Sequence, residues 1–381
     1  MTAGCGFAMN RGLGGLMLLT DGFGGLGGIA KFNRDFLEAL DCSGIFERVD
    51  ALPRLIPQPI AKTTPPFVVY DHKAAQGKMA FISRLVVHAL STRRIDLVIC
   101  GHIHLLPAAW LLARFRGARL VLIIHGLEAW APPHKLLAKW FAQRVDAFIS
   151  VSKYSAERFT KWSRLSMDRG FILPNCVDLQ KFRPMARDAT LLARYDLKSS
   201  KVILTVGRLA SEDRHKGFDP VIEVMPKLIQ RFANLKYLIV GDGPDRHRLE
   251  AKVHALGLSN HVIFAGYVPE CEKAAYYNLA DVYAMPSRGE GFGIVLLEAA
   301  ACGVPIIGSQ VDGSREALLG GKLGQLVDPG DRIQLMQTIT KTLEDGSSRR
   351  RSELIDIFTS EKFKARVQAW CCTQVNEVFN C

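Results

Sequence analysis

The sequence predicts an α/β chain of two doubly wound domains with parallel sheets. Three observations predict it. Short Val/Ile/Leu-rich runs alternate with helix-patterned stretches along the whole 381 residues. The runs are almost continuously apolar, as strands buried on both faces must be. The alternation breaks once, at the polar stretch LPNCVDLQKFRPMARDATLLARYDLKSS, and then restarts with a fresh strand. A chain of this size holds roughly two domains of about 150–200 residues each.

In chain order, the first half offers LMLLT, RVDALP, FVVYDH, DLVICG, RLVLIIHG, AFISVS and FILPN as strands, most of them separated by helical patterns. The second half offers KVILTVG, KYLIVGD, VIFAGYV, VYAMPS and PIIGS. The linker falls near residues 178–200. The expected domains are 1–185 and 186–360, followed by a helix over 361–381 carrying EKFKARVQAWCCTQVNEVF. Periodicity alone does not decide whether that helix packs on its own domain or returns to the first. Two doubly wound domains are expected to face one another across a cleft at the carboxyl ends of their strands.

Composition narrows the function classes. A hydrophobic content of 48% supports two cores and argues against disorder. No run approaches the ~18 apolar residues of a membrane span. The apolar run near the start continues into a Gly-rich turn and a helical pattern, so it reads as a strand better than as a leader. Nine cysteines without paired spacing read as reduced thiols in a cytoplasmic protein, with no metal site expected. The charge is lopsided: residues 1–185 carry 24 Lys/Arg against 13 Asp/Glu, whereas the remainder carries 25 against 24. The basic half is a solvated face or a contact for anionic lipid head groups or a diphosphate-bearing acceptor. HKLLAKWFAQR (134–144) and KYSAERFTKWSR (153–164) mix basic and aromatic residues at helical spacing, as interfacial helices do. Nucleic acid is not expected as a partner, because no motif for it is present.

The chemistry concentrates in SRGEGFGIVLLEAAACGVPIIG (287–308). A helix starting near Gly293 would stop at Gly303, with Pro305 beyond. Its leading amides, at Phe292, Gly293 and Ile294, would meet a phosphate. Glu290 lies just before that turn, within reach of a sugar. Glu298, amid apolar neighbours, can accept two hydroxyl hydrogen bonds from a ribose. A diphosphate also needs cations, and VGRLASEDRHKGF supplies Arg208 and Lys216 at a strand end. VGDGPDRHRLE follows the next strand and reads as a loop on the same sheet edge or as a simple strand-to-helix turn.

Together GRLASEDRHKG, VGDGP, FAGYV and EGFGIVLLE resemble, in order and over about 200–310, the retaining glycosyltransferases of family 4 (glycosyl transferases group 1). The resemblance implies a GT-B fold of two Rossmann-like domains. It implies that Arg208 and Lys216 bind the donor diphosphate, Glu298 the ribose and Glu290 the donor sugar, with the amides of Gly293 and Ile294 nearby. The backbone around Val268 would meet the base. The loop between Arg208 and Lys216 is longer than the commonest family form, which makes Arg214 and His215 rivals of Lys216. The implied activity is transfer of a hexose from GDP-mannose or a UDP-hexose to a glycan or polyprenyl-diphosphate-linked acceptor in cell-surface polysaccharide synthesis. It implies no cofactor and no metal, and a protein peripheral at the inner face of the plasma membrane.

The first domain carries G-x-G-x-x-G at Gly22, Gly24 and Gly27 between a strand and a helix, with Asp50 on the next strand. That pattern supports an alternative, an NAD(P)-dependent oxidoreductase, but leaves Arg208, Lys216 and the two glutamates without a role. The resemblance instead matches Gly24 and Gly25 to a glycine turn facing donor and acceptor, and carries a strand-end donor-sugar histidine onto His125. His102 and His104 either line the acceptor side or cap a helix.

Overall fold

The computed structural model describes residues 12–60, 64–132, 136–346 and 351–379. The chain forms two compact units. The first runs through Asn175 and takes in the segment from Ser360 onward, and the second is Cys176–Thr359. The crossing therefore precedes the polar stretch at 178–200, which belongs to the second unit.

The first unit holds seven parallel strands: β1 (Leu13–Leu19), β2 (Phe46–Pro53), β3 (Val68–Tyr70), β4 (Leu97–Cys100), β5 (Arg119–Ile124), β6 (Ala147–Ser150) and β7 (Gly170–Ile172). Their order is β3-β2-β1-β4-β5-β6-β7. The second unit holds β8 (Lys201–Val206), β9 (Leu235–Val240), β10 (Val262–Gly266), β11 (Val282–Met285), β12 (Ile306–Ser309) and β13 (Gln325–Val327), ordered β10-β9-β8-β11-β12-β13. Each order reverses once, between β1 and β4 and between β8 and β11. In doubly wound sheets such a switch point opens a crevice at the carboxyl ends of the strands.

One device sets the register in both units. An aspartate immediately before a strand accepts the amide of the second residue of its neighbour. Asp96 takes Gly14 N at 2.9 Å, Asp146 takes Leu120 N at 2.7 Å and Asp281 takes Val202 N at 2.8 Å. Each fixes an amino-terminal sheet edge where the ladder would otherwise leave an amide unmet.

The strand interiors are buried, as their apolar runs require. Ile99, Val121 and Ile123 in the first unit and Ile203, Leu204 and Ile239 in the second are inaccessible to solvent. The last helix, Ser360–Phe379, lies in the first unit against the helix Gly27–Ser43. Phe363 meets Phe32 edge-on at 5.7 Å and Trp370 packs on Phe36 at 5.7 Å. Among the described residues, no helix is long and apolar enough to cross a membrane.

The helix Lys153–Ser163 corrects one expectation. Phe159 and Trp162 point into the core, with the Trp162 indole donating to the Ala129 carbonyl at 2.8 Å. Their helical spacing served the sheet and not a membrane. Of the other basic-aromatic segment, residues 134 and 135 lie outside the described residues. The helix Leu136–Ala142 leaves Trp140 40% exposed, so this aromatic does reach the surface.

Candidate functional site

The carboxyl edge of the second sheet gathers the residues singled out from its sequence. At the end of β8 the chain enters the Arg208 loop, and a short helical turn over Ser211–Lys216 returns Lys216 to the strand end. The Lys216 chain passes over Gly207, where a Cβ would lie in ordinary contact with it at 3.5 Å. The neighbouring loop after β9 is stitched to this one. Leu209 N donates to the Asp242 carbonyl at 3.0 Å and Asp245 N to the Leu209 carbonyl at 2.9 Å. Gly241 has φ +138°, and a Cβ there would fall 1.9 Å from the Gly207 carbonyl oxygen. No side chain fits, which is why VGDGP carries glycine at that place.

Across the switch point, the loop after β11 brings in Glu290. Lys216 Nζ donates to Glu290 Oε1 at 2.6 Å, with both side chains largely buried. An ion pair withdrawn from water holds its geometry only with further support, and the support for Glu290 is Asp312. This buried carboxylate accepts from Ser287 Oγ at 2.6 Å, Glu290 N at 2.9 Å and Ser314 N at 3.0 Å, while Gly313 N donates to the Glu290 carbonyl at 2.8 Å. Burial raises the Asp312 carboxyl above its ordinary range even against these hydrogen bonds. His215 lies against Gly289, and its carbonyl accepts from Arg288 N at 2.7 Å. Of the three candidates for the loop cation, Lys216 is the one that meets Glu290. Arg214 pairs with Asp245 at 3.6 Å and His215 packs as a wall. Arg208 is exposed on the same loop.

The helix that follows spans Ile294–Ala301, with Gly293 before it at φ +94°. Phe292 is buried edge-on to Phe358 at 5.6 Å and so anchors the turn. Glu298 is only 1% exposed, as its apolar neighbours require. Its Oε2 accepts from the Tyr277 hydroxyl at 2.7 Å. Burial, and then the Glu298 charge, push the Tyr277 phenol far above its ordinary range, so it stays a donor. Lys273 lies on the same helix as Tyr277, one turn earlier. Burial lowers its ammonium, but the charges of Glu298 and Glu270 more than offset that and hold it above its usual value. Val268, on the segment after β10, is buried.

In the first unit, the glycine turn sits after β1 and before the helix Gly27–Ser43. Its glycines answer to the chain's own packing. A Cβ on Gly24 would lie 2.4 Å from the Gln58 carbonyl, and one on Gly25 would lie 2.7 Å from Ala30 Cβ. Arg34 donates to the Gly22 carbonyl at 2.9 Å and the Gly25 carbonyl at 3.0 Å. Asp50 is not at a carboxyl edge. It lies inside β2, three residues before its end, and is taken up by Arg48 at 2.7 Å. The acid that a dinucleotide ribose needs is therefore not at the site, and the oxidoreductase reading loses its second feature.

His125 follows β5, half-buried, with its ring edge-on to Phe32 at 5.2 Å and Nε2 donating to the Gly101 carbonyl at 2.9 Å. Burial lowers its pKa to about 4, so the ring is neutral near pH 7. His102 caps the turn Ile103–Leu105, accepting from His104 N at 3.2 Å, and burial lowers it to about 4 as well.

Two supporting residues escaped the sequence reading. Asp312, in VDGSRE, precedes a short helix and looks like an ordinary helix-entry acid. Only the fold reveals that it holds the Glu290 loop. Tyr277 sits in KAAYYN, where helical spacing marks a buried face and says nothing of a partner on another helix.

Comparisons with known proteins agree with this arrangement. Residues 193–354 match the family model described as glycosyl transferases group 1, and residues 26–181 match that of glycosyltransferase family 4. A GDP-mannose-dependent alpha-(1-6)-phosphatidylinositol monomannoside mannosyltransferase of Mycolicibacterium smegmatis is 34% identical over 247 residues. That match covers 61% of this chain and 63% of the relative, so the chain spans under two thirds of the relative's length. A phosphatidyl-myo-inositol mannosyltransferase of the same organism is 35% identical over 46% of this chain and 44% of its own. Among solved structures, HepE of Anabaena in complex with UDP and glucose superposes with a TM-score of 0.74 at 19% identity, covering 94% of this chain and 99% of its own. Sucrose-phosphate synthase from Thermosynechococcus elongatus gives 0.73 at 22% identity, covering 97% and 98%. At such identities these two speak for the fold alone.

Proposed function

The chain belongs to glycosyltransferase family 4, with two Rossmann-like units of the GT-B type, and from that premise we propose that it is a retaining hexosyltransferase. Its donor on this reading is GDP-mannose, and its acceptor is a hydroxyl on a lipid-linked glycan at the cytoplasmic face of the membrane. The observation that carries the proposal is the Lys216–Glu290 pair, held by Asp312 at the switch point of the second sheet. The names of the mannosyltransferase relatives favour GDP-mannose over a UDP-hexose.

The chemistry follows from charge. In the ligand-free site Glu290 neutralises Lys216. A diphosphate brings more negative charge than one carboxylate, so Lys216 turns to it, assisted by Arg208 and the amides of Gly293 and Ile294. Glu290 is thereby freed to accept from a donor-sugar hydroxyl beside the reacting carbon. As the sugar–phosphate bond breaks, charge grows on the leaving diphosphate, where those cations and amides stabilise it most. The leaving phosphate oxygen takes the acceptor proton, with attack on the same face. Glu298 receives the ribose hydroxyls, the backbone at Val268 the base, and neutral His125 a donor-sugar hydroxyl through Nδ1. The proposal draws on no cofactor or metal.

The test is transfer by purified variants. Lys216→Ala and Glu290→Ala are expected to lose ~10²–10³-fold or more in kcat with GDP-mannose and a phosphatidylinositol-type acceptor, as when one preorganised charge-stabilising group is removed. Thermal unfolding should show both variants folded. Normal turnover by either removes the assignment.

A further inference from the structure

The first unit has a second concave feature, on the edge of its sheet opposite Gly24, His102 and His125. A cavity of about 990 Å³ opens at the amino ends of β4, β5 and β6. Its wall holds six arginines (Arg94, Arg114, Arg116, Arg119, Arg144 and Arg169) against three acids (Asp96, Asp146 and Glu377). Strand β5 separates this edge from His125 by six residues, about 20 Å of extended chain. The cavity is thus separate from the His125 end of the sheet.

The three acids are already engaged. Asp96 accepts from Gly14 N and pairs with Arg94 at 2.7 Å. Asp146 accepts from Leu120 N. Glu377 pairs with Arg119. Arg116 is spent on structure, donating to the carbonyls of Ala89, Ser91 and Arg93. Arg114, Arg144 and Arg169 are exposed guanidinium groups that no lining acid matches among the described residues; Arg144 gives one N–H to the Trp140 carbonyl at 3.0 Å and keeps the others. Three guanidinium forks around one cavity suit phosphate oxygens better than any neutral ligand.

The rest of the wall is aromatic. Trp110 and Trp140 meet edge-to-face at 5.0 Å, and the Arg144 guanidinium lies 3.6 Å over the Trp140 ring. On the helix Leu106–Arg116, Trp110 and Arg114 line the cavity, while the next residue after each, Leu111 and Phe115, is 60% and 67% exposed. Leu90, 69% exposed, ends the helix Lys78–Leu90 between Ala89 and Ser91, whose carbonyls accept from Arg116. A basic cavity with indoles in its wall, on a unit whose neighbouring helices leave Leu90, Leu111 and Phe115 bare, combines the chemistry of a bilayer surface: phosphates, the interfacial belt and acyl chains.

We propose that this cavity binds the phosphate-bearing head group of an anionic membrane lipid, with Leu90, Leu111 and Phe115 entering the acyl boundary. It deepens the membrane-surface part of the functional reading above and rests on that part alone. Donor chemistry is not involved.

The experiment is co-sedimentation of the full chain with phosphatidylcholine vesicles, with and without phosphatidylinositol. The wild-type protein should bind only the anionic vesicles. Arg114→Gln/Arg144→Gln/Arg169→Gln should partition about a hundredfold more weakly at low salt, with its thermal midpoint and donor hydrolysis intact. A control with the same charge loss elsewhere on the unit, Lys73→Gln/Lys153→Gln/Lys161→Gln, should lose far less. Equal losses in the two triples would make the effect general charge and overturn the cavity while leaving membrane binding standing. Failure of the wild type to bind anionic vesicles would overturn both. Soluble inositol phosphate that quenches Trp140 fluorescence (lost in Trp140→Phe) at concentrations where vesicles have no effect would make this a site for a free metabolite and overturn the lipid.

Discussion

A buried carboxylate depends on the donors that the fold brings to it. Glu298 is held by the Tyr277 hydroxyl at 2.7 Å, and losing a hydrogen bond to a buried charge costs about 1.5–3 kcal/mol. Tyr277→Phe should therefore lower the unfolding free energy of the second unit, read from urea titration of the free protein, by that amount. If ribose hydroxyls come to Glu298, as proposed, they restore part of what the phenol supplied. GDP should then raise the melting temperature of Tyr277→Phe by more than it raises that of the wild type. An equal rise in both would detach Glu298 from the ribose. This residue also shows how far the sequence could be read. The position and apolar setting of Glu298 marked it, because a carboxylate among Leu and Ala needs a partner. Its protein partner could not be read, because Tyr277 reaches it from a different helix. Asp312 was hidden for the same reason: its three hydrogen bonds arise from tertiary folding of an ordinary helix-entry pattern.

At the scale of elements, strands buried on both faces were legible because their apolar runs are unbroken. β13 was missed: Gln325–Val327 is three residues long at the sheet edge, too short for a pattern. The helix Lys153–Ser163 was misassigned because aromatic residues at helical spacing look the same whether they face a core or a membrane. The ends of β4 and β5 carry a testable consequence of burial. His102 and His125 stack at 6.5 Å, and each is lowered to about 4 by burial, opposed at His102 by Glu128 and at His125 by the Gly101 carbonyl. The unfolded chain binds protons there below about pH 6.5, whereas the folded chain refuses them until about pH 4. Stability should fall as pH drops through that window and be flat above pH 7. Asp219 does not confuse the reading. Burial works to raise its carboxyl, but hydrogen bonds from Arg248 and Lys252 hold it at about 2, so its contribution is lost below the window. Asp21 and Asp312, raised by burial, act in the opposite sense. Thermal scans from pH 7 to pH 5 should show a smaller loss for His125→Gln than for the wild type. An identical slope would mean that the imidazole is protonated in the fold.

For the whole molecule, the sequence showed two domains and their charge imbalance. Counted over the units that actually form, the first carries 25 Lys/Arg against 14 Asp/Glu and the second 24 against 23. Where the last helix packs was not legible, because its apolar face fits either unit equally well on periodicity. Its burial decides what truncation does. Phe363, Val367, Trp370 and Cys371 repeat at helical spacing and are almost wholly buried beside Phe32 and Phe36. Removing one large buried aromatic costs about 3–5 kcal/mol, and a domain has only about 5–15 kcal/mol in total. A chain ending at Thr359 loses two such aromatics together and bares two phenylalanines, so its first unit should fail to unfold cooperatively and should be cleaved rapidly by trypsin. The second unit is continuous in sequence, and its proposed donor residues Arg208, Lys216, Val268, Glu290 and Glu298 all lie within it. Expressed alone as residues 176–359, it should keep a single thermal transition that GDP shifts upward. Retention of a protease-resistant first unit after truncation would mean that its sheet is stable without the helix. Loss of the second unit's transition when it is expressed alone would mean that its stability depends on the rest of the chain.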